Sequence, residues 1–230
     1  LSSSSIARLE RQLGYEFQDK SLLEQALTHR SFSANNNERL EFLGDGVLNF
    51  IVAEQLFQQF PDAAEGQLSR LRALLVKQKT LAEIARELQL SDHLIMGTGE
   101  LKSGGFNRDS ILSDAVEAIV AAIYLELGFE PTRARVCAWF GDRITDLSLD
   151  QAKKDAKSRL QEHLQAQGAA LPNYEVLDVA GESHDQEFTI ELDLPMLDEK
   201  ISGSGSSRRA AEQQAAALAL DLLANVEQRS

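Results

Sequence analysis

The spacing of apolar positions divides the chain into two unlike parts. Up to about residue 147 the period is helical. Ile6, Leu9 and Leu13 recur at helical intervals, Gly14 interrupts them, and Leu22, Leu23, Ala26 and Leu27 resume the pattern. A polar loop follows over 31–37. The apolar run Val47, Leu48, Phe50, Ile51, Val52 then predicts a helix from about Glu38 to Phe60. Asn35 to Asn37 offer its polar cap and Pro61 its stop. Glu65 to Arg72 opens a further helix, and Leu74 to Leu88 reads as one or two amphipathic helices. Residues 91–108 form an irregular, glycine-rich connector whose spacing matches neither a Walker loop nor a dinucleotide fingerprint. A small-residue, strongly apolar stretch predicts a largely buried helix over 109–127, and Pro131 to Leu147 predicts the last helix of an all-α part.

Residues 148–156 are polar and aperiodic, and read as a linker. Beyond them the period changes. Lys157 to Gln167 is helical and Gly168 ends it. Segments starting at Tyr174, Gln186 and Glu199 partly alternate, as strands do. Gly205 to Val226 is an alanine-rich helix. The second part is therefore α+β, in the order α-β-β-β-α.

Composition narrows the possibilities. Hydrophobic residues make up 43% of 230, enough for real cores, and no run of 18 apolar residues predicts a membrane span. Leu1-Ser-Ser-Ser-Ser has neither the basic nor the apolar region of a signal peptide. The single Cys137 excludes an internal disulfide and suits a reducing cytoplasm. Net charge is −13, which on the simplest reading opposes a nucleic-acid partner. Neither part escapes it: residues 1–155 hold 17 Lys and Arg against 23 Asp and Glu, and residues 156–230 hold 6 against 13.

The acids are placed unevenly. On a helix Glu38, Glu41 and Asp45 fall at i, i+3 and i+7, so they share a face. Taken alone, that triplet also reads as a solvated face with Glu38 in a capping role. Asp114 and Glu117 repeat the i, i+3 spacing on the apolar 109–127 helix, where an unpaired carboxylate pair is costly. A divalent cation held by Glu41, Asp45, Asp114 and Glu117 would relieve both clusters. Oxygen-only ligands suit magnesium, with manganese as a substitute.

These residues carry a resemblance. Glu38-Arg-Leu-Glu-Phe-Leu-Gly-Asp45 is similar to the defining motif of the ribonuclease III family. Agreement continues through Ala26-Leu-Thr-His-Arg-Ser31, Gly99-Glu-Leu-Lys-Ser-Gly-Gly105, Ser110-Ile-Leu-Ser-Asp-Ala-Val-Glu117 and Gly203-Ser-Gly-Ser-Ser-Arg-Arg209. It covers nearly the whole chain and is closest to the bacterial two-domain form. The resemblance implies an all-α endonuclease and dimerisation domain over 1–147, a flexible linker over 148–156, and a double-stranded-RNA-binding domain over 157–227. It implies magnesium-dependent hydrolysis of double-stranded RNA by a homodimer, with 5′-phosphate and 3′-hydroxyl ends and short 3′ overhangs. Roles in rRNA, mRNA and small-RNA processing come with the family, and no organic cofactor or membrane partner does.

Asp45 and Glu117 are then the leading catalytic positions, with Glu38 and Glu65 in outer-shell or RNA-facing ones. Glu65 by itself reads as a first-turn acid favoured by the helix dipole. Phe42 by itself reads as core, but its family counterpart plugs a socket in the partner subunit. The family's RNA contacts map onto Gln161, Glu162 and Gln165 of the first helix, His184 of a strand-connecting loop, and Ser207, Arg208 and Arg209 at the start of the last helix. Arg108 is a further RNA contact. His29, as a lone histidine, reads as a structural hydrogen-bonder. Ser183-His184-Asp185 is no triad, since adjacent residues do not line up as nucleophile, base and orienter. Two departures weaken RNA binding: Asn107 and Ala210 stand where relatives often carry a basic residue. The alternatives are a non-catalytic RNA-binding protein, opposed by the retention of all six acids, and a metal-dependent hydrolase of small phosphates.

Overall fold

Ser2 starts the first helix: its Oγ accepts from the Ser5 N–H at 3.2 Å, and α1 runs Ser3–Leu13 until Gly14, at φ +68°, ends it. Asp19 caps α2 (Lys20–Leu27) in the same way. Helix α3 (Glu38–Gln59) opens differently. Asn37 makes no side-chain cap bond, and Asn36 Oδ1 accepts from the Glu38 N–H at 3.0 Å instead. Then come α4 (Glu65–Leu75), α5 (Gln78–Glu87), α6 (Thr98–Lys102), α7 (Asp109–Leu127), α8 (Phe129–Phe140) and α9 (Asp142–Thr145). The last two divide what the sequence reads as one helix over 131–147, because Gly141 takes φ +47° between them.

This computed structural model describes residues 2–152, 155–182, 186–194 and 200–227. It forms two compact units, Leu1–Ala152 and Lys153–Ser230. The first is built around α7. Leu112, Ala115, Ala118 and every residue from Ile119 to Ile123 are fully buried, as expected where a stretch of helix is apolar all round. Helices α2, α3, α5 and α8 pack on it. The tightest approach is at Gly44 of α3, where an added Cβ would lie 1.8 Å from the Glu117 carbonyl oxygen. Part of the polar stretch 148–156 is ordered against this unit. Leu149–Ala152 forms a 3-10 turn, Ala152 is fully buried, and Arg70 Nε donates to its carbonyl at 2.6 Å. Period alone did not reveal this, since one alanine and a backbone bond make the contact.

In the second unit Asp155 caps α10 (Ala156–Ala166), accepting from the Ser158 N–H at 2.9 Å. Strands β1 (Asn173–Ala180), β2 (Glu187–Asp193) and β3 (Ile201–Gly205) form an antiparallel sheet in the order β1-β2-β3. Val176 faces Ile190, which faces Gly203, and a bulge lies between Val176 and Asp178. Helix α11 (Arg208–Glu227) covers the sheet with α10. Leu160, Leu164, Leu192, Ile201, Ala215 and Ala219 form the shared core. Gly205 ends β3 rather than opening α11. It pairs with Phe188, and Ser207 Oγ, accepting from the Ala210 N–H at 3.2 Å, begins the helix.

Candidate active site

Gly44 explains how two distant acidic segments meet. With no side chain there, α3 and α7 touch backbone to backbone, and the carboxylates flanking the contact converge. One oxygen each from Glu41, Asp114 and Glu117 lies within 4.8 Å of the others. All three are partly buried. Burial, then the charges of Asp114 and Glu38, raises the Glu41 pKa. Burial also raises Asp114, against the pull of a hydrogen bond from Ser113 and the charges of His29 and Arg30. Glu117 is pushed up to about 8 by burial and by the charges of Asp45, Asp114 and Glu41. A group of hard oxygen donors that resists losing its protons fits a divalent cation.

Asp45 stands beside this trio and outside its 4.8 Å span. It is exposed and accepts from Asn49 Nδ2 at 2.7 Å, although its charge still reaches Glu117. Glu38 is exposed too, with its carboxylate 3.5 Å from Arg30 Nη1. Next to the trio lies a cavity of about 430 Å³ whose lining includes His29, Arg30, Glu38, Glu41, Arg108 and Asp114. Acids and cations therefore share one wall-to-wall space. Glu100 also lines it and holds Arg108, Oε1 to Nη1, at 2.8 Å. The sequence reading missed Glu100 and Arg30, because neither stretch is long enough to show a period. Arg30 lies in a turn, and Glu100 lies in α6, a helix of five residues inside what the spacing reads as an irregular connector. His29 bonds Ser31 Oγ through Nδ1 at 2.8 Å, a structural contact, yet the same residue also faces Asp114.

Glu65 is not brought to the trio within the chain. It accepts from Ser69 Oγ at 2.7 Å and lines a separate cavity of about 480 Å³ with Phe50 and Phe57. Phe42 is not core: it is 84% exposed, on the same helix as the exposed Phe50 and Phe57.

In the second unit Gln161, Glu162 and Gln165 are exposed on α10, and Ser207, Arg208 and Arg209 are exposed at the start of α11. His184, with Ser183 and Asp185, lies outside the described residues.

Comparison with known proteins agrees with this two-unit fold. A family model described as ribonuclease-III-like matches residues 19–144, and the double-stranded RNA binding motif matches residues 156–223. Ribonuclease 3 of Pseudomonas fluorescens is 58% identical over 94% of this chain and 94% of its own. Ribonuclease 3 of a Marinomonas species is 56% identical, covering 96% and 97%. Among solved structures, the nuclease domain of ribonuclease III from Campylobacter jejuni, described for flexibility in a region involved in dimer formation, superposes with a TM-score of 0.60. It is 50% identical and covers 62% of this chain and 99% of its own. These matches, over a helical unit followed by an α-β-β-β-α unit, place the chain in the ribonuclease III family, as an endoribonuclease carrying a double-stranded RNA binding motif.

Proposed function

We propose that the chain cleaves double-stranded RNA as a homodimer by magnesium-dependent phosphodiester hydrolysis, leaving 5′-phosphate and 3′-hydroxyl ends with short 3′ overhangs. The observation that carries this reading is the convergence of Glu41, Asp114 and Glu117 beside a cavity that also holds Arg30 and Arg108. The nuclease and dimerisation part is assigned to 1–147, the connection to 148–156, and the RNA-binding part to 157–227.

Glu41, Asp114 and Glu117 would hold the cation, with Asp45 alongside. Bound there, a divalent cation supplies the charge that acidifies a water and offsets charge gathering on the phosphate and the leaving 3′-oxygen. The chain's own residues do the rest. Glu117 must give up the proton that its surroundings favour before it can serve as a ligand. Glu38 and Glu100 keep Arg30 and Arg108 on the cavity lining, where guanidinium groups can draw in and orient a phosphodiester. Glu65 faces RNA from a neighbouring position, and Phe42 enters the partner subunit. Two-fold symmetry then gives one trio to each strand.

A long perfect RNA duplex, incubated with the protein in magnesium or in EDTA beside single-stranded RNA, tests this. Magnesium-dependent shortening of the duplex alone is expected. An intact duplex that still shifts on a native gel would leave an RNA-binding protein without nuclease activity.

A further inference from the structure

The first turns of α10 and α11 meet through a buried carboxylate. Glu212, one turn into α11, is 9% exposed. Its Oε1 accepts from Arg208 Nε at 3.0 Å, and its Oε2 accepts from Lys157 Nζ at 2.6 Å. Lys157 comes from α10, and its ammonium also lies 4.3 Å from the centre of the Tyr174 ring. The neighbouring Gln213 strengthens the junction. Its Oε1 accepts from the Lys157 N–H at 3.2 Å, and its side chain also bonds Asp155, the α10 cap.

The charges of the trio are unequal. Burial disfavours the Glu212 anion, but hydrogen bonds from Lys157 and Arg208 outweigh it and leave the pKa lowered. One carboxylate between two cations gives the trio a net charge of about +1 at neutral pH. Without Lys157, Arg208 and Glu212 would form a neutral pair, a poor ligand for phosphate. Exposure is unequal as well. The Arg208 side chain is 63% exposed and that of Glu212 is 12% exposed, so the cation meets solvent and the anion does not. The contact occupies Nε and not the terminal nitrogens, which can grip a phosphate as a pair.

We propose that Glu212 is a positioning residue for RNA binding. With Lys157 as its counter-charge, it aims Arg208 so that a guanidinium of uncompensated charge stands at the α11 N-terminus to take a backbone phosphate of double-stranded RNA. This rests on the RNA-facing reading of Arg208 and extends it to two residues that act through the arginine.

The test is the affinity of the full chain for an RNA duplex in EDTA, over a range of salt, with melting temperatures recorded for every variant. Arg208→Gln weakens binding about tenfold and lowers the salt slope by about 1. Glu212→Gln weakens it about fivefold in the native background and has no further effect beside Arg208→Gln, as expected of coupled residues. Lys157→Met also weakens binding, and Lys157→Met with Glu212→Gln is no weaker than Glu212→Gln alone, since no carboxylate then compensates the Arg208 charge. If Glu212→Gln costs the same in both backgrounds, the carboxylate only holds the fold and the proposal fails. Tighter binding by Glu212→Gln would show that it masks the arginine, and the proposal fails equally. If Arg208→Gln itself loses nothing, the RNA-facing reading is what falls.

Discussion

Glu117 combines two opposed demands. Its helix is buried for the sake of the core, yet its carboxylate meets two others in the group proposed to hold the cation. The outcome is a pKa pushed up to about 8. In the unfolded chain the same group titrates near 4.5, so between these values the unfolded chain has released the proton and the folded chain keeps it. Metal-free protein therefore loses stability as pH rises from about 4.5 to about 8. The raised values of Glu41 and Asp114 act in the same direction. Melting in EDTA across that range should show a falling trend that Glu117→Gln flattens, and an equal fall in the variant would clear Glu117 of responsibility. The same substitution removes an anionic oxygen from the trio while keeping its shape. Glu117→Gln is expected to bind the duplex normally and to cut it at least about 100-fold more slowly. Appreciable magnesium-dependent cutting by that variant would remove Glu117 from the metal site.

At the scale of elements, the site depends on how closely two helices approach. Glu41 and Asp45 lie on α3, Asp114 and Glu117 on α7, and Gly44 is the point of contact. A methyl group at 1.8 Å from a carbonyl oxygen has no flexible side chain to displace, so the helices must separate. Gly44→Ala is expected to cost about 1–3 kcal/mol of stability and to weaken metal binding along with activity. A variant that melts normally and binds metal normally would mean the approach is not what assembles the trio. The acidic spacing was legible in the sequence because helical period marks a face. The role of Gly44 was not, since a glycine inside a helix looks the same whether it packs or merely weakens the helix. Asp45 shows the limit of the same reasoning: it shares the predicted face, yet its hydrogen bond to Asn49 holds its oxygens outside the tight group.

On the scale of the molecule, the question is how a chain of net charge −13 handles a polyanion. The second unit answers in part by segregating charge. Ile190, Leu192 and Ile201 turn toward the helices, so the alternate positions occupy the free face of the sheet. There Glu175 stands opposite Glu191, with Asp178 and Asp193 nearby in register and Lys200 Nζ 2.5 Å from Glu191 Oε1. The exposed Arg208 and Arg209 belong to the helical side. Adding a cation on that side, as in Ala210→Lys, should tighten duplex binding and steepen its salt dependence by about 1. An unchanged affinity at low salt would count against it. The first unit leaves Phe42, Phe50 and Phe57 exposed along α3, more aromatic surface than a lone helix face usually shows to water. Phe42→Ala should weaken self-association by about 2 kcal/mol or more, read by analytical ultracentrifugation. An unchanged dimer dissociation constant would remove Phe42 from the interface.

By itself the sequence determined the change from helical to alternating period, the helices that carry the acids, and the family those motifs belong to. Each follows from local spacing, which a chain displays whether or not it is folded. Tertiary structure alone decided which acids meet, that Glu65 stays apart within the chain, and that Phe42 faces solvent. It also decided that Arg30, Arg108 and Glu100 line the same cavity as Glu41 and Asp114, and that Glu212 ties Lys157 to Arg208. These are contacts between residues far apart in the chain or in irregular segments. Their geometry is set by how closely backbones approach and which polar groups the core leaves to be paired, and no period along the chain records either.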